Sequence, residues 1–356
     1  MRKLRVAVLM GGLSSERAVS LSTGRMILES LDKQKYEAIG VDAALFSGSV
    51  QRRLPGSEKE VAAIAEAEEA LARIGPLRPV SELGSGRGRD RVDVAFIALH
   101  GRFGEDGTIQ GMLELLGIPY TGSGVLASAL AMDKIVSKRL LRQAGVTTPE
   151  SVDIRRRSEL KGRDIAGEVR ALGYPVMVKP NRQGSTIGMT KVESEGELLS
   201  AIEEAFKYDS QVLIEEFVPG TEITVGLLGN DEPEVLPIVE IVPAKGFYDY
   251  EAKYTPGATD EIVPARISES AAARARELAL AAHKALGCRG MSRVDMIVSG
   301  TPASQRLAGD QDVMVLEVNT IPGMTPTSLL PTAAKAAGIS FPELLDRLIR
   351  LALEEE

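Results

Sequence analysis

Arg5-Val-Ala-Val-Leu-Met-Gly-Gly-Leu-Ser-Ser-Glu16 reads as a short apolar run, a pair of glycines, and small polar residues that open a helical pattern continuing through Ser30-Leu31. A continuous apolar run of this length is the signature of a strand buried on both faces, and the glycines permit a tight turn into a helix. The design recurs at Val92-Asp-Val-Ala-Phe-Ile-Ala-Leu99, which leads through His100-Gly-Arg-Phe-Gly-Glu-Asp-Gly107 into a helix ending near Leu116. Strands alternating with helices imply a parallel α/β domain.

At 356 residues the chain exceeds what one ordinary core supports, so two or three subdomains sharing clefts are expected. With 44% hydrophobic, 26% charged and 4% aromatic residues, it has the balance of a globular protein in water. The net charge of -8 argues against a surface built to neutralise nucleic-acid phosphates or anionic lipid. The single cysteine, Cys288, excludes an intrachain disulfide framework and a cysteine-rich zinc site and suits a reducing compartment. Val6 to Met10 is too short for a signal peptide, and no run approaches the roughly 18 apolar residues that span a bilayer, so a cytoplasmic location is expected.

Farther along, a helix is expected over Glu58 to Arg73, and the Gly84-Ser-Gly-Arg-Gly-Arg89 stretch reads as a surface loop without assigned function. One helix is expected over Val125 to Gln143, with the first domain boundary inside it. Apolar strands at Tyr174 to Lys179 and Val212 to Glu216, with a helix at Glu195 to Phe206, indicate a small α+β middle domain. The last third predicts strands at Glu222 to Leu228, Val235 to Val242, Ser292 to Ser299 and Val313 to Asn319. Helices are expected at Ser268 to Leu286 and Pro342 to Leu353, and Pro243 to Pro264 is irregular.

Two strand motifs carry the most chemistry, Arg293-Val-Asp295 and Glu317-Val-Asn319. Residues two apart in a strand share a face, so neighbouring strands would present two carboxylates, an amide oxygen and a guanidinium on one surface. Hard oxygen ligands in that number suit magnesium bridged to nucleotide phosphates, while an isolated pair of this kind also reads as a structural ion pair. The Thr320-Ile-Pro-Gly-Met324 turn that follows can aim backbone N–H groups at the same oxyanion. Lys179-Pro-Asn-Arg-Gln-Gly-Ser-Thr-Ile-Gly188 has the glycines, hydroxyls and lysine of a phosphate loop, and equally the form of a hairpin turn. It is not a Walker loop, and Gly11-Gly12 does not meet the dinucleotide fingerprint.

Together these stretches resemble the ATP-grasp ligases, and within them the D-alanine–D-alanine ligase family, over nearly the whole chain. The resemblance is carried by Gly11-Gly-Leu-Ser-Ser-Glu-Arg-Ala-Val-Ser20, His100 to Gly107, Tyr120-Thr-Gly-Ser-Gly124, Met132-Asp-Lys134, Phe247-Tyr-Asp-Tyr-Glu-Ala-Lys-Tyr254 and Glu317-Val-Asn-Thr-Ile-Pro-Gly-Met324. It implies a three-domain ATP-grasp fold, α/β and α+β, with an N-terminal Rossmann-like parallel-sheet domain that binds substrate over 1–133. A central ATP-grasp subdomain over 134–218 and a C-terminal one over 219–356, with a lid loop at 243–264, complete the division.

By the same resemblance, ATP is the co-substrate, with Lys134 and Lys179 toward its phosphates beside Gly184, Glu215 toward the adenine amino group and Glu222 on the ribose. Asp295, Glu317 and Asn319 are implied ligands of two magnesium or manganese ions, and members of the family also use a monovalent cation. Glu16, with His100 nearby, is implied to hold the ammonium of the first D-alanine, although a carboxylate at a helix N-terminus also answers the helix dipole. Arg293 and the Gly323 N–H are implied to stabilise the tetrahedral oxyanion, and Ser328 and Leu329 to meet the second D-alanine's carboxylate. On the lid, Lys253 is implied to reach the γ-phosphate and Tyr254 to hydrogen-bond with Ser185 and Glu16. His283, inside a helix without a motif, reads as structural.

The implied reaction is ATP-dependent ligation of two D-alanines through a D-alanyl phosphate, with release of ADP and phosphate, for peptidoglycan precursors. The implied assembly is a homodimer, with no nucleic acid and no membrane as partner. Tyr254 favours a dipeptide product over the D-alanine–D-lactate ester; that ester ligase and other ATP-grasp carboxylate–amine ligases are the alternatives. The sequence departs from many members in reading Gln183-Gly-Ser-Thr186 for Glu-Gly-Ser-Ser, and from some in having Ile321 for serine.

Overall fold

The apolar run that begins the chain's first α/β unit forms β1 (Leu4–Met10), every residue of which from Arg5 onward is buried. The structure, a computed structural model, describes residues 2–14, 16–46, 49–50, 58–83, 91–243, 259–299 and 313–354. After β1 come α1 (Arg17–Ser30), β2 (Tyr36–Asp42), the short pair β3 (Leu45–Phe46) and β4 (Ser49–Val50), and α2 (Glu58–Ala72). β5 (Arg78–Pro79), β6 (Val94–Ile97) and α3 (Thr108–Leu115) complete the unit. The sheet runs β5-β2-β1-β6 with all pairings parallel, as expected from its unbroken apolar strands. At the C-terminal end of β1 the chain turns through Gly11, at φ 75°, where an added Cβ would lie 2.3 Å from the Asp42 carboxylate.

The single helix expected over Val125 to Gln143 is two, α4 (Val125–Met132) and α5 (Lys134–Gln143). Asp133 breaks it: its backbone leaves the helical region at ψ 94°, and its carboxylate accepts the Val136 N–H at 3.1 Å, capping α5. The middle sheet follows, with β7 (Ser151–Ile154), α6 (Ile165–Leu172), β8 (Val176–Pro180), β9 (Thr190–Val192), α7 (Glu195–Ala205) and β10 (Val212–Glu216). Its order β7-β10-β8-β9 is antiparallel throughout, and its own apolar core lies under α6 and α7.

The third sheet contains β11 (Gly220–Gly229), β12 (Glu234–Val235), β13 (Val239–Pro243) and β14 (Thr259–Ile262), then, after α8 (Glu269–Ala285), β15 (Gly290–Ser299) and β16 (Val313–Asn319). The strand expected over Val235 to Val242 is divided at Pro237, which has no N–H to give a ladder. α9 (Leu329–Ala336) and α10 (Phe341–Leu353) end the chain. These two helices share the apolar core of the first sheet, and the Tyr36 hydroxyl donates to Asp346 at 2.7 Å across that junction. Among the described residues no helix is long and apolar enough to cross a membrane.

Candidate active site

Strand pairing settles whether the carboxylate motifs meet. β15 and β16 are antiparallel neighbours, with Asp295 opposite Glu317 and Arg293 opposite Asn319, so all four lie on one face. The Arg293 guanidinium grips Asp295 with a fork of two hydrogen bonds, 2.8 and 2.7 Å long. Thr224, opposite Asp295 on β11, donates its hydroxyl to the same carboxylate at 2.5 Å. Glu317 has the Lys134 ammonium at 3.4 Å, and the Asn319 amide oxygen accepts the Ile321 N–H at 2.9 Å. The residues expected as a ligand face thus also form ion pairs, Arg293 with Asp295 and Lys134 with Glu317.

The loop after β8 is both a hairpin and a cavity wall. β8 and β9 pair directly, and between them Ser185 and Thr186 take φ of 51° and 63°, a region that L side chains rarely occupy and that clusters at ligand sites. The loop is tied to the start of α5, where Asn181 accepts the Ile135 N–H at 2.9 Å and the Gln183 carbonyl accepts the Lys134 ammonium at 2.7 Å. Gln183 donates its side-chain amide to the Tyr208 carbonyl at 3.1 Å, so this departure from the usual glutamate pins the loop to the segment after α7.

A cavity of about 450 Å³ opens between the middle and third sheets. Lys134, Lys179, Gly184, Glu215, Glu222, Asp295 and Glu317 line it, with an apolar wall that includes Met177, Ile241 and Ile297. Glu215 is buried at its edge between two ammoniums, Lys179 at 2.5 Å and Lys138 at 2.6 Å. Burial works against the charge on Glu215, but the two lysines outweigh it and bring its pKa down to about 2. Lys138 escaped the sequence reading, although it lies four residues after Lys134 and hence on the same face of α5.

A second cavity, of about 760 Å³, lies at the C-terminal edge of the first sheet. Its walls include Glu16, His100, Arg293, Asn319, Gly323, Ser328 and Leu329. Glu16 is buried at the N-cap of α1 without capping its own helix, and accepts a hydrogen bond from the Ser185 hydroxyl instead. Its carboxylate is thus directed to the loop after β8 and not to the first turn of α1. Gly101 stands against it, where an added Cβ would come within 2.7 Å of the carboxylate. His100 is buried 3.8 Å from Glu105, and its Nε2 has no hydrogen-bond partner among the described residues. Burial opposes charging His100, but Glu105 and Glu16 outweigh it and hold its pKa above the ordinary imidazole value. The Ser328 hydroxyl accepts the Thr325 N–H at 3.2 Å and crowds the place a Cβ on Gly323 would take. α9 begins at the next residue without a side-chain cap at Ser328, and Ser328 and Leu329 both line this end of the cavity.

The cavity walls share Gly184, Ser185 and Glu317, so the two spaces meet at one point. Residues of α2, among them Glu66 and Ala67, line the outer part of the second cavity, a role the sequence reading had not assigned to that segment. Of the segment expected as an irregular lid over 243–264, residues 244–258, with Lys253 and Tyr254, lie outside the described residues, whereas Thr259–Ile262 pairs with β13 as strand β14; the loop expected over Gly84 to Arg89 also lies outside them. His283 is buried against Ser292 at 2.7 Å, away from both cavities, and burial lowers its pKa to about 4. Cys288 is likewise buried, and its thiol is pushed up to about 11.

Two family profiles match the chain, the D-ala D-ala ligase N-terminus over residues 5–123 and the D-ala D-ala ligase C-terminus over residues 140–350. A D-alanine–D-alanine ligase of Syntrophobacter fumaroxidans is 48% identical over 99% of both chains. Another, of Pelotomaculum thermopropionicum, is 46% identical over 99% of this chain and 97% of its own. Among solved structures, the VanG D-Ala:D-Ser ligase from Enterococcus faecalis superimposes with a TM-score of 0.79 at 37% identity, over 99% of this chain and 100% of that one. The D-alanine–D-alanine ligase from Bacillus anthracis complexed with ATP gives 0.72 at 35% identity, over 98% and 97%.

Proposed function

The chain belongs to the D-alanine–D-alanine ligase family, and we propose that its two joined cavities divide one reaction, with ATP in the smaller and both amino acids in the larger. It is an ATP-dependent ligase that joins two D-alanines through a D-alanyl phosphate, releasing ADP and phosphate, the step that supplies the dipeptide for peptidoglycan precursors. The observation that carries the division is the shared wall of Gly184, Ser185 and Glu317, since the γ-phosphate must meet an alanine carboxylate where the two spaces join.

In this reading the domains divide near residues 133 and 218. Adenine packs against Met177 and Ile241 with its amino group toward Glu215, the ribose lies by Glu222, and the phosphates extend toward Lys179, Lys134 and Gly184. The first D-alanine places its ammonium at Glu16 beside His100. Its carboxylate oxygen forms the new bond to the γ-phosphorus while the bond to ADP breaks. The second D-alanine sets its carboxylate on Ser328, Leu329 and the N-terminus of α9; its ammonium gives up a proton to solvent, and the free amine adds to the acyl carbon to form a tetrahedral intermediate, which loses the second N–H proton and collapses by breaking the carbon–oxygen bond to phosphate. Arg293 and the Gly323 N–H meet the oxyanion of that intermediate, in a site whose donors are already in place. Ser185 holds Glu16 in position.

Among the described residues no three His, Cys, Asp or Glu side chains form a metal cluster. Two facing carboxylates and an amide oxygen nonetheless fit magnesium or manganese ions that keep water and bind phosphate oxygens, rather than a cation caged by protein. Asp295, Glu317 and Asn319 would hold two such ions, whose contribution is to offset charge on the phosphoryl group.

We further propose a homodimer, supported by the apolar side chains of Leu115, Leu116 and Leu126 exposed on adjoining α3 and α4. Sedimentation at micromolar concentration is expected to show a species of twice the 38.0 kDa chain; a monomer at every concentration would remove the proposal.

The deciding assay supplies ATP and magnesium with D-alanine alone, or with D-lactate or D-serine added, and identifies products by mass. D-alanyl-D-alanine with stoichiometric ADP is expected as the main product near neutral pH. Turnover only with D-serine or D-lactate present would move the acceptor assignment and leave the donor half of the site standing.

A further inference from the structure

The wall of the ATP cavity hides a lysine that the reaction above does not use. Lys138 is 5% exposed, and its ammonium reaches Glu215 at 2.6 Å and the Pro149 carbonyl at 2.5 Å. Lys179 takes the other Glu215 oxygen at 2.5 Å. Lys179 and Glu215 line the cavity, whereas Lys138 stands behind them and is not part of its wall. The three groups come from separate elements, α5, β8 and β10, so the arrangement is made by the fold and not by local sequence.

Burying an ammonium is unfavourable unless a partner offsets its lost hydration, and one carboxylate here offsets two. A Glu215–Lys179 pair alone would be neutral, and its field on a phosphate beyond it would largely cancel. With Lys138 added the cluster carries one positive charge more than the pair, and that charge faces the cavity through Lys179. Burial lowers the Lys138 pKa despite Glu215, while burial of Lys179 is outweighed by Glu215, with Glu317 and Glu222 adding to it, so its pKa is raised. Lys138 is therefore held by the Glu215 carboxylate and the Pro149 carbonyl, against repulsion from Lys179.

We propose that Lys138 is a positioning residue for nucleotide binding: by sharing the Glu215 carboxylate it fixes that carboxylate toward the adenine and leaves the Lys179 ammonium only partly compensated, its remaining charge facing the ATP phosphates. This rests on the smaller cavity being the ATP site. It acts through Glu215 and touches no substrate.

The test compares Lys138→Met, Glu215→Gln, the double variant and Lys179→Met in the full-length enzyme. Lys138→Met is expected to raise KM for ATP roughly tenfold and to weaken ADP binding in calorimetry by a similar factor, with both D-alanine KM values within about twofold. In the double variant the uncharged amide no longer cancels Lys179, so the ATP KM is expected to return to within about threefold of Glu215→Gln alone. Should Lys138→Met not fold, Lys138→Gln keeps an N–H for Glu215 and is expected to show the same rise. A lower melting temperature with ATP KM unchanged, or all KM values rising together, overturns the proposal. If Lys179→Met also leaves ATP binding untouched, the failure belongs to the assignment of the cavity instead.

Discussion

Arg293→Met is expected to lower kcat roughly 10³-fold with little change in KM for ATP, as for loss of a charged donor aimed at a developing oxyanion. Arg293 lines the larger cavity, proposed for the amino acids, while its fork is locked on Asp295, so the guanidinium is held in place without a substrate. The same substitution strands a buried carboxylate with Thr224 as its remaining side-chain donor, and a stability loss of about 3 kcal/mol should accompany the kinetic defect. Arg293→Lys separates the two effects. A lysine keeps the charge near Asp295 but cannot reproduce the bidentate fork, so stability should largely recover and kcat should not. If kcat followed stability across both variants, the oxyanion role would be lost and Arg293 would be a structural partner of Asp295.

Glu317→Gln is expected to produce the second large defect, a fall in kcat of roughly 10³-fold together with a higher magnesium concentration for half-maximal rate. Glu317 belongs to both cavity walls and faces Asp295 across the strand pair, so a neutral amide there removes charge at the junction proposed for phosphoryl transfer. Its contact with Lys134 is 3.4 Å long and partly open, so little of the effect should come from unfolding. Melting temperature within about 2 °C of the parent, with the magnesium dependence shifted, is the expected pair of readings. An unshifted magnesium dependence would reassign Glu317 to holding Lys134.

Much of this was legible in the chain because its signals are local. The strands at Val212–Glu216 and Val313–Asn319, and the cap of α8 at Ser268, follow from apolar period and end residues within a few positions of each other. The side-chain period of two placed Arg293 with Asp295, and Glu317 with Asn319, on shared strand faces before any pairing was known. Where local signals competed, the reading slipped: Asp133 looked like one polar position in a long helix, but its carboxylate caps α5 and breaks the pattern. Pro237 divided a strand for the corresponding reason, a missing donor.

The amino-acid sequence by itself determined the α/β start and the shared strand faces of Arg293 with Asp295 and of Glu317 with Asn319, since each rests on residue type at short spacing; the rest of the expected site residues, from Glu16 to Leu329, came from the resemblance to a family. Only the tertiary structure decided that Asp295 stands opposite Glu317, that Ser185 reaches Glu16 from another sheet, and that Lys138 and Lys179 share Glu215. These contacts join positions far apart in the chain, and no period or propensity encodes them. They exist because the sheets bury their apolar faces in separate cores, and the polar edges left where the sheets meet are where the buried charges find one another.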